Sequence, residues 1–168
     1  ARRAHYLSPE YQLPGAQSCC DAVLLGRHQE RPAAVVIELK DWDTSGDRPG
    51  IAEGLIDRQG VQELHPSDQV KGYTEYCQYF HSAVLDRKAS VHGCVLLTRG
   101  PLKQPYLARP NDALSREFPV FTMTHGDLQE AIPRFLHQRL TESDEVFATE
   151  FVTGTFRQNR GFMKQIGT

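Results

Sequence analysis

The apolar positions of this chain fall into short runs separated by polar segments rich in Gly and Pro. Residues 6–13 form the first run, closed by Pro14-Gly15, and Asp21-Ala-Val-Leu-Leu-Gly26 forms the second. After a polar turn at 27–32, the run from Ala33 to Trp42 gives the strongest strand signal. Its β-branched centre, apolar on both parities, predicts a central strand covered on both faces. Two strands joined by a short polar connection predict antiparallel neighbours. Residues 43–64 carry Gly46, Pro49, Gly50, Gly54 and Gly60. They predict a long connection holding a small hairpin at Leu55-Ile56 and Val61. A helix is predicted from Ser67, which caps it behind Pro66. Its packed face is Val70, Tyr73, Tyr76, Cys77, Phe80 and Val84.

Ser90–Thr98 predicts another buried strand, 99–110 a Pro- and Gly-rich connection, and Pro119–Thr124 a further strand. Asp127–Leu140 predicts a second amphipathic helix, kinked near Pro133. Beyond Thr141 the periodicity weakens, and Phe147, Phe151, Phe156 and Phe162 have no visible partners. The division expected is therefore a domain at 1–140 and a tail or linker at 141–168, leading toward a further domain. The order of elements predicts an α/β domain with a central mixed β-sheet flanked by helices.

One break in the pattern carries chemistry. Glu38 and Lys40 interrupt the buried strand, and a spacing of two puts both side chains on one face, with Val36 and Trp42. A carboxylate and an ammonium in a covered strand cost several kcal/mol unless each finds a partner. Asp21 opens the preceding strand of the same hairpin, where its side chain can lie beside Glu38 or Lys40. Two neighbouring carboxylates repel unless a cation sits between them. Magnesium prefers oxygen ligands, and Asp21, Glu38 and the backbone carbonyl of Leu39 supply such a set. Lys40 is then placed to orient or deprotonate an attacking water. On the helix, Gln69 and Tyr73 share one side at a spacing of four, and Gly72 suits close approach of another backbone.

Asp21, Glu38-Leu39-Lys40 and Gln69-x-x-x-Tyr73 together resemble the PD-(D/E)XK nuclease superfamily. More narrowly, four segments resemble the nuclease-like module that precedes Schlafen-type helicase domains in some bacterial proteins. They are Glu10-Tyr-x-Leu-Pro14, Asp21–Gly26, Glu38-Leu-Lys-Asp-Trp42 and His65-Pro-Ser-x-Gln69-x-x-x-Tyr73. The resemblance covers about residues 6–100. It implies a restriction-endonuclease-like core of order α-β-β-β-α-β with the metal site at the sheet's edge. It implies Asp21 and Glu38 as metal ligands, Lys40 as the catalytic lysine, and Gln69 and Tyr73 as accessory residues. Cys20 stands where the motif name has a proline, and Glu10 takes the place of an auxiliary acid that the family carries on a preceding helix. His65 is a further accessory candidate.

Composition narrows the partners. With 24% charged and 39% hydrophobic residues the chain is neither disordered nor a membrane protein, and no run reaches the roughly 18 apolar residues of a span. The net charge of −2 requires any phosphate contact to come from a local patch. Cys19, Cys20, Cys77 and Cys94 contain no C-x-x-C pair and read as buried reduced thiols of a cytoplasmic protein. The start at Ala-Arg-Arg, without Met, reads as a piece of a longer chain. The expected function is a Mg2+-dependent nuclease, with Mn2+ as a substitute, acting on nucleic acid (DNA before RNA). A helicase domain is its expected C-terminal partner. The alternative is a catalytically silent nucleic-acid or protein-interaction module of the same fold.

Overall fold

The computed structural model describes residues 5–158. Strands β1 (Tyr6–Gln12), β2 (Cys19–His28), β3 (Arg31–Lys40), β7 (Ser90–Leu97) and β8 (Val120–Thr122) form a five-stranded sheet in the order β1-β2-β3-β7-β8. β1 and β2 pair antiparallel, and β7 and β8 pair parallel, so the sheet is mixed as expected. β3 is its middle strand, in keeping with its unbroken apolar run. A second, three-stranded sheet joins β4 (Arg48–Pro49), β5 (Leu55–Arg58) and β6 (Val61–Leu64). Helices α1 (Pro66–Phe80), α2 (Ser82–Arg87), α3 (Gln104–Leu107), α4 (Asp112–Glu117), α5 (Ile132–His137) and α6 (Glu145–Val152) flank the sheets. The α/β class is thus established.

The chain divides into two units. The first comprises the described residues 5–36, 73–92 and 139–158, and the second 37–72 and 93–138. In the first, β1 and β2 bury Tyr11, Leu13, Cys20, Val23 and Leu25 together with Val36, Cys77, Val84, Phe147 and Phe151. Buried His81 organises this core. Its Nδ1 accepts from the Ala83 amide at 3.1 Å and caps α2, which leaves the neutral ring's proton on Nε2. Nε2 lies 2.7 Å from the Tyr11 hydroxyl, which donates in turn to the Phe151 carbonyl at 2.8 Å. The His81 ring stacks on Phe151 with centroids 4.1 Å apart. A Cβ at Gly154 would meet His81 Cε1 at 2.3 Å, so only glycine fits beside the ring. Burial pushes the His81 pKa down to about 4.

The expected tail at 141–168 is corrected for its described part. α6 is capped by Asp144, whose Oδ1 accepts from Phe147 N at 3.0 Å, and it buries Phe147, Ala148 and Phe151 in the first unit's core. Residues 141–158 are therefore part of that unit and not a linker. Phe162 lies outside the described residues. Cys20, Cys77 and Cys94 are buried thiols, as read, whereas Cys19 is exposed.

In the second unit, Ile56, Val70, Val95, Leu97, Tyr106, Leu114, Phe118 and Val120 form the core. The predicted hairpin is present as β5–β6, closed by Gln59-Gly60 with φ of 56° and 86°, the left-handed pair that a tight turn between twisted strands needs. The cap of α1 differs from expectation. His65 Nδ1 accepts from Ser67 N at 3.0 Å, while the Ser67 hydroxyl donates to the Phe118 carbonyl at 2.7 Å. The second amphipathic helix begins with a π-helical turn, Asp127–Ala131, before α5. Pro133 explains the widening, because it has no N–H for the carbonyl one turn back and its ring crowds that oxygen. Gly72 shows no close approach: a Cβ there would meet nothing within 4 Å. No helix among the described residues is long and apolar enough to cross a membrane.

Candidate functional site

β3 delivers its two charged residues to one place. Glu38 is only 4% exposed, and the Lys40 ammonium lies 3.1 Å from its Oε1. Strand parity makes the pairing possible, and burial makes it necessary, since either charge alone in this position would be strongly unfavourable. The backbone at the strand's end is fixed, because the Lys40 carbonyl accepts from Thr98 N at 2.9 Å. Two residues further on, the half-buried Trp42 ring stands under both cations of the neighbourhood. Lys40 Nζ is 5.1 Å from its centroid and the Arg58 guanidinium carbon 4.1 Å.

Arg58 is itself held by three acceptors. Asp47 Oδ2 and Glu63 Oε2 each lie at 3.4 Å and the Asp43 carbonyl at 3.3 Å. Asp47 is 5% exposed and accepts a 2.5 Å hydrogen bond from the Tyr106 hydroxyl. Burial first, and the Asp47 carboxylate second, push the Tyr106 pKa well above the usual tyrosine range. Asp41 and Asp43 are exposed beside this layer, and Arg99 lies 3.7 Å from Asp41 Oδ1. Asp43 is held below the usual carboxylate range by hydrogen bonds from the Ser45 hydroxyl and amide. Asp41 accepts from Thr98 Oγ1 at 3.1 Å.

The second unit thus brings Glu38, Lys40 and Trp42 together and adds Arg58, Asp47 and Tyr106, which the sequence reading had missed. No spacing announces them, since they come from three separate segments. The one available signal was Arg58 at the mouth of the predicted hairpin. The Leu39 side chain is exposed, and Gln69 is half-buried in α1. His65 is corrected. It is fully buried, its Nε2 donates to the Tyr106 carbonyl at 2.9 Å and its Nδ1 serves α1, so neither nitrogen is left for a phosphate. Burial also lowers its pKa.

Asp21, Tyr73 and Glu10 belong to the first unit. Tyr73 packs half-buried against that unit's core. In the β1–β2 ladder, Pro9 pairs with Ala22 and Tyr11 with Cys20, and the regular pairing is interrupted between them, at Glu10 and Asp21. Glu10 holds a φ of 49°, an uncommon backbone state for a non-glycine residue inside a strand. Among the described residues, no group of three or more His, Cys, Asp or Glu side chains is arranged to hold a metal ion. Glu10 and Asp21 in the first unit, and Glu38 with the Leu39 carbonyl in the second, offer oxygen, the donor type that hard cations take.

The fold and site define an α/β protein with a mixed sheet and a buried acid–lysine pair on its middle strand. No protein-family model, no curated protein and no solved structure matches this chain.

Proposed function

We propose that this protein is a divalent-metal-dependent nuclease with a restriction-endonuclease-like core, hydrolysing phosphodiester bonds of nucleic acid, DNA in preference to RNA. The observation that carries the reading is the Glu38–Lys40 pair, a 3.1 Å contact on a buried central strand that an apolar pair would fill at lower cost.

Asp21, Glu38 and the Leu39 carbonyl would hold magnesium, or manganese in its place, with Glu10 as an auxiliary carboxylate beside Asp21. The ion would supply Lewis-acid activation of a phosphoryl oxygen and offset the site's carboxylate charge. Lys40 donates a hydrogen bond that orients the attacking water, and its positive charge stabilises the negative charge that grows on the phosphoryl oxygens. Gln69 hydrogen-bonds the attacking water, and Tyr73 holds a phosphate oxygen. Cytoplasmic location and a helicase domain following in the same polypeptide complete the proposal.

A second reading, a silent binding module, draws on one observation: the Glu38 carboxylate already has the Lys40 ammonium as its partner. Cleavage of single- and double-stranded DNA and RNA with Mg2+ or Mn2+ separates the two. The nuclease reading predicts that Asp21→Ala, Glu38→Gln and Lys40→Ala each lower the rate at least about a hundredfold, the scale for loss of a general base or an electrostatic stabiliser. Retained binding without any cleavage by the wild type would favour the silent module.

A further inference from the structure

Trp42 lies two residues beyond the last residue of β3, so no strand pairing fixes its ring, yet two cations converge on it. Their surroundings differ. Arg58 is tied to Asp47, Glu63 and the Asp43 carbonyl, which belong to the loop after β3 and to β6. Asp47 is in turn gripped by the Tyr106 hydroxyl at 2.5 Å and is buried. A guanidinium swinging away from Trp42 would strand that buried carboxylate, so Arg58 is held over the ring at 4.1 Å. A planar guanidinium also stacks on an aromatic face in a way that an ammonium does not.

Among the described residues, Lys40 has two side-chain restraints, Glu38 at 3.1 Å and the Trp42 ring at 5.1 Å. A single ion pair sets how far an ammonium sits from its partner but leaves its four-carbon stem free to turn about it. The second contact removes that freedom.

We propose that Trp42 is a positioning residue for Lys40, and that Arg58, anchored through Asp47 to Tyr106, holds the indole in that role. The inference rests on the nuclease reading for its catalytic consequence, whereas the positioning is a property of the folded protein alone. Trp42 is the only tryptophan in the chain, so its ring current marks Lys40 without competition from another indole.

Two measurements on the full chain test this. In the first, the side-chain methylene protons of Lys40 are followed by NMR, assigned through Lys40→Arg. They are expected to resonate upfield of the other lysines in the wild type and to return toward them in Arg58→Ala, although Trp42 is intact. Arg58→Lys, which keeps the charge and loses the fork, should give the same return. An unchanged Lys40 signal in a folded Arg58→Ala or Arg58→Lys protein would overturn the proposal.

In the second, cleavage kinetics compare Trp42→Phe with Trp42→Leu. Both fill apolar space, but only Phe offers a ring face to the ammonium. Phe should stay within about threefold of wild-type kcat, while Leu loses about tenfold with KM unchanged, the scale of one cation–π contact. Equal effects of Phe and Leu would overturn the proposal. Absence of cleavage by the wild type would sink the nuclease reading and leave the NMR comparison to decide this one.

Discussion

At the scale of single residues, the site turns on how buried charge is partnered. Parity alone placed Glu38, Lys40 and Trp42 on one face, and the contacts Lys40 makes are with those two neighbours. The network beneath was illegible because Asp47 lies in a loop, Arg58 at the end of β5 and Tyr106 in α3, 59 positions after Asp47, and side-chain convergence leaves no periodic trace. Asp47 gives the sharpest stability prediction here. Asp47→Asn keeps the shape but weakens its bonds to Arg58 and Tyr106, and should cost about 1–3 kcal/mol by urea denaturation, the range for disturbing a buried charged hydrogen bond. Glu63, more exposed and on the rim, should matter by less than about 1 kcal/mol in Glu63→Gln.

His81 adds a dependence on pH. Its folded pKa, pushed down to about 4 by burial, lies below the unfolded value of 6.5, so the unfolded chain binds more protons between them. The stability it protects is complete above about pH 6.5 and falls as the pH drops toward 4, by up to about 3 kcal/mol. Urea midpoints across this window should slope less steeply in His81→Gln than in the wild type. Equal slopes would assign the loss to other groups.

At the scale of elements, the long runs were read correctly and the short ones were not. β3, β7 and the β5–β6 hairpin carry β-branched runs or a turn glycine, signals that survive without tertiary context. α3, α4 and α6 are four to eight residues long, too short for a helical period to stand out. α6 was the costly omission, since Phe147 and Phe151 stand one helical turn apart and both are fully buried. Phe151→Ala should destabilise the protein by about 3–5 kcal/mol, as for a large aromatic side chain removed from a core. Calorimetric Tm values comparing this variant with Val152→Ala, on the exposed side of the same helix, would check it. The cap of α1 was misassigned for a related reason. Ser67 is the better capping residue by propensity, but burial turns its hydroxyl to the Phe118 carbonyl and leaves the role to His65.

At the scale of the whole molecule, the α/β class and the mixed sheet followed from the order of runs, whereas the tail boundary at 140 did not survive the packing of α6. On the proposed nuclease reading, a bound cation would offset the carboxylates around β3, and Lys40 would orient the attacking water. The most direct test is cleavage of labelled single- and double-stranded DNA by the wild type and Lys40→Ala, with Mg2+ and with EDTA. The prediction is cleavage by the wild type that requires the metal and falls at least about a hundredfold in a folded Lys40→Ala protein. No cleavage by a folded wild type, or cleavage indifferent to both EDTA and Lys40→Ala, would contradict it.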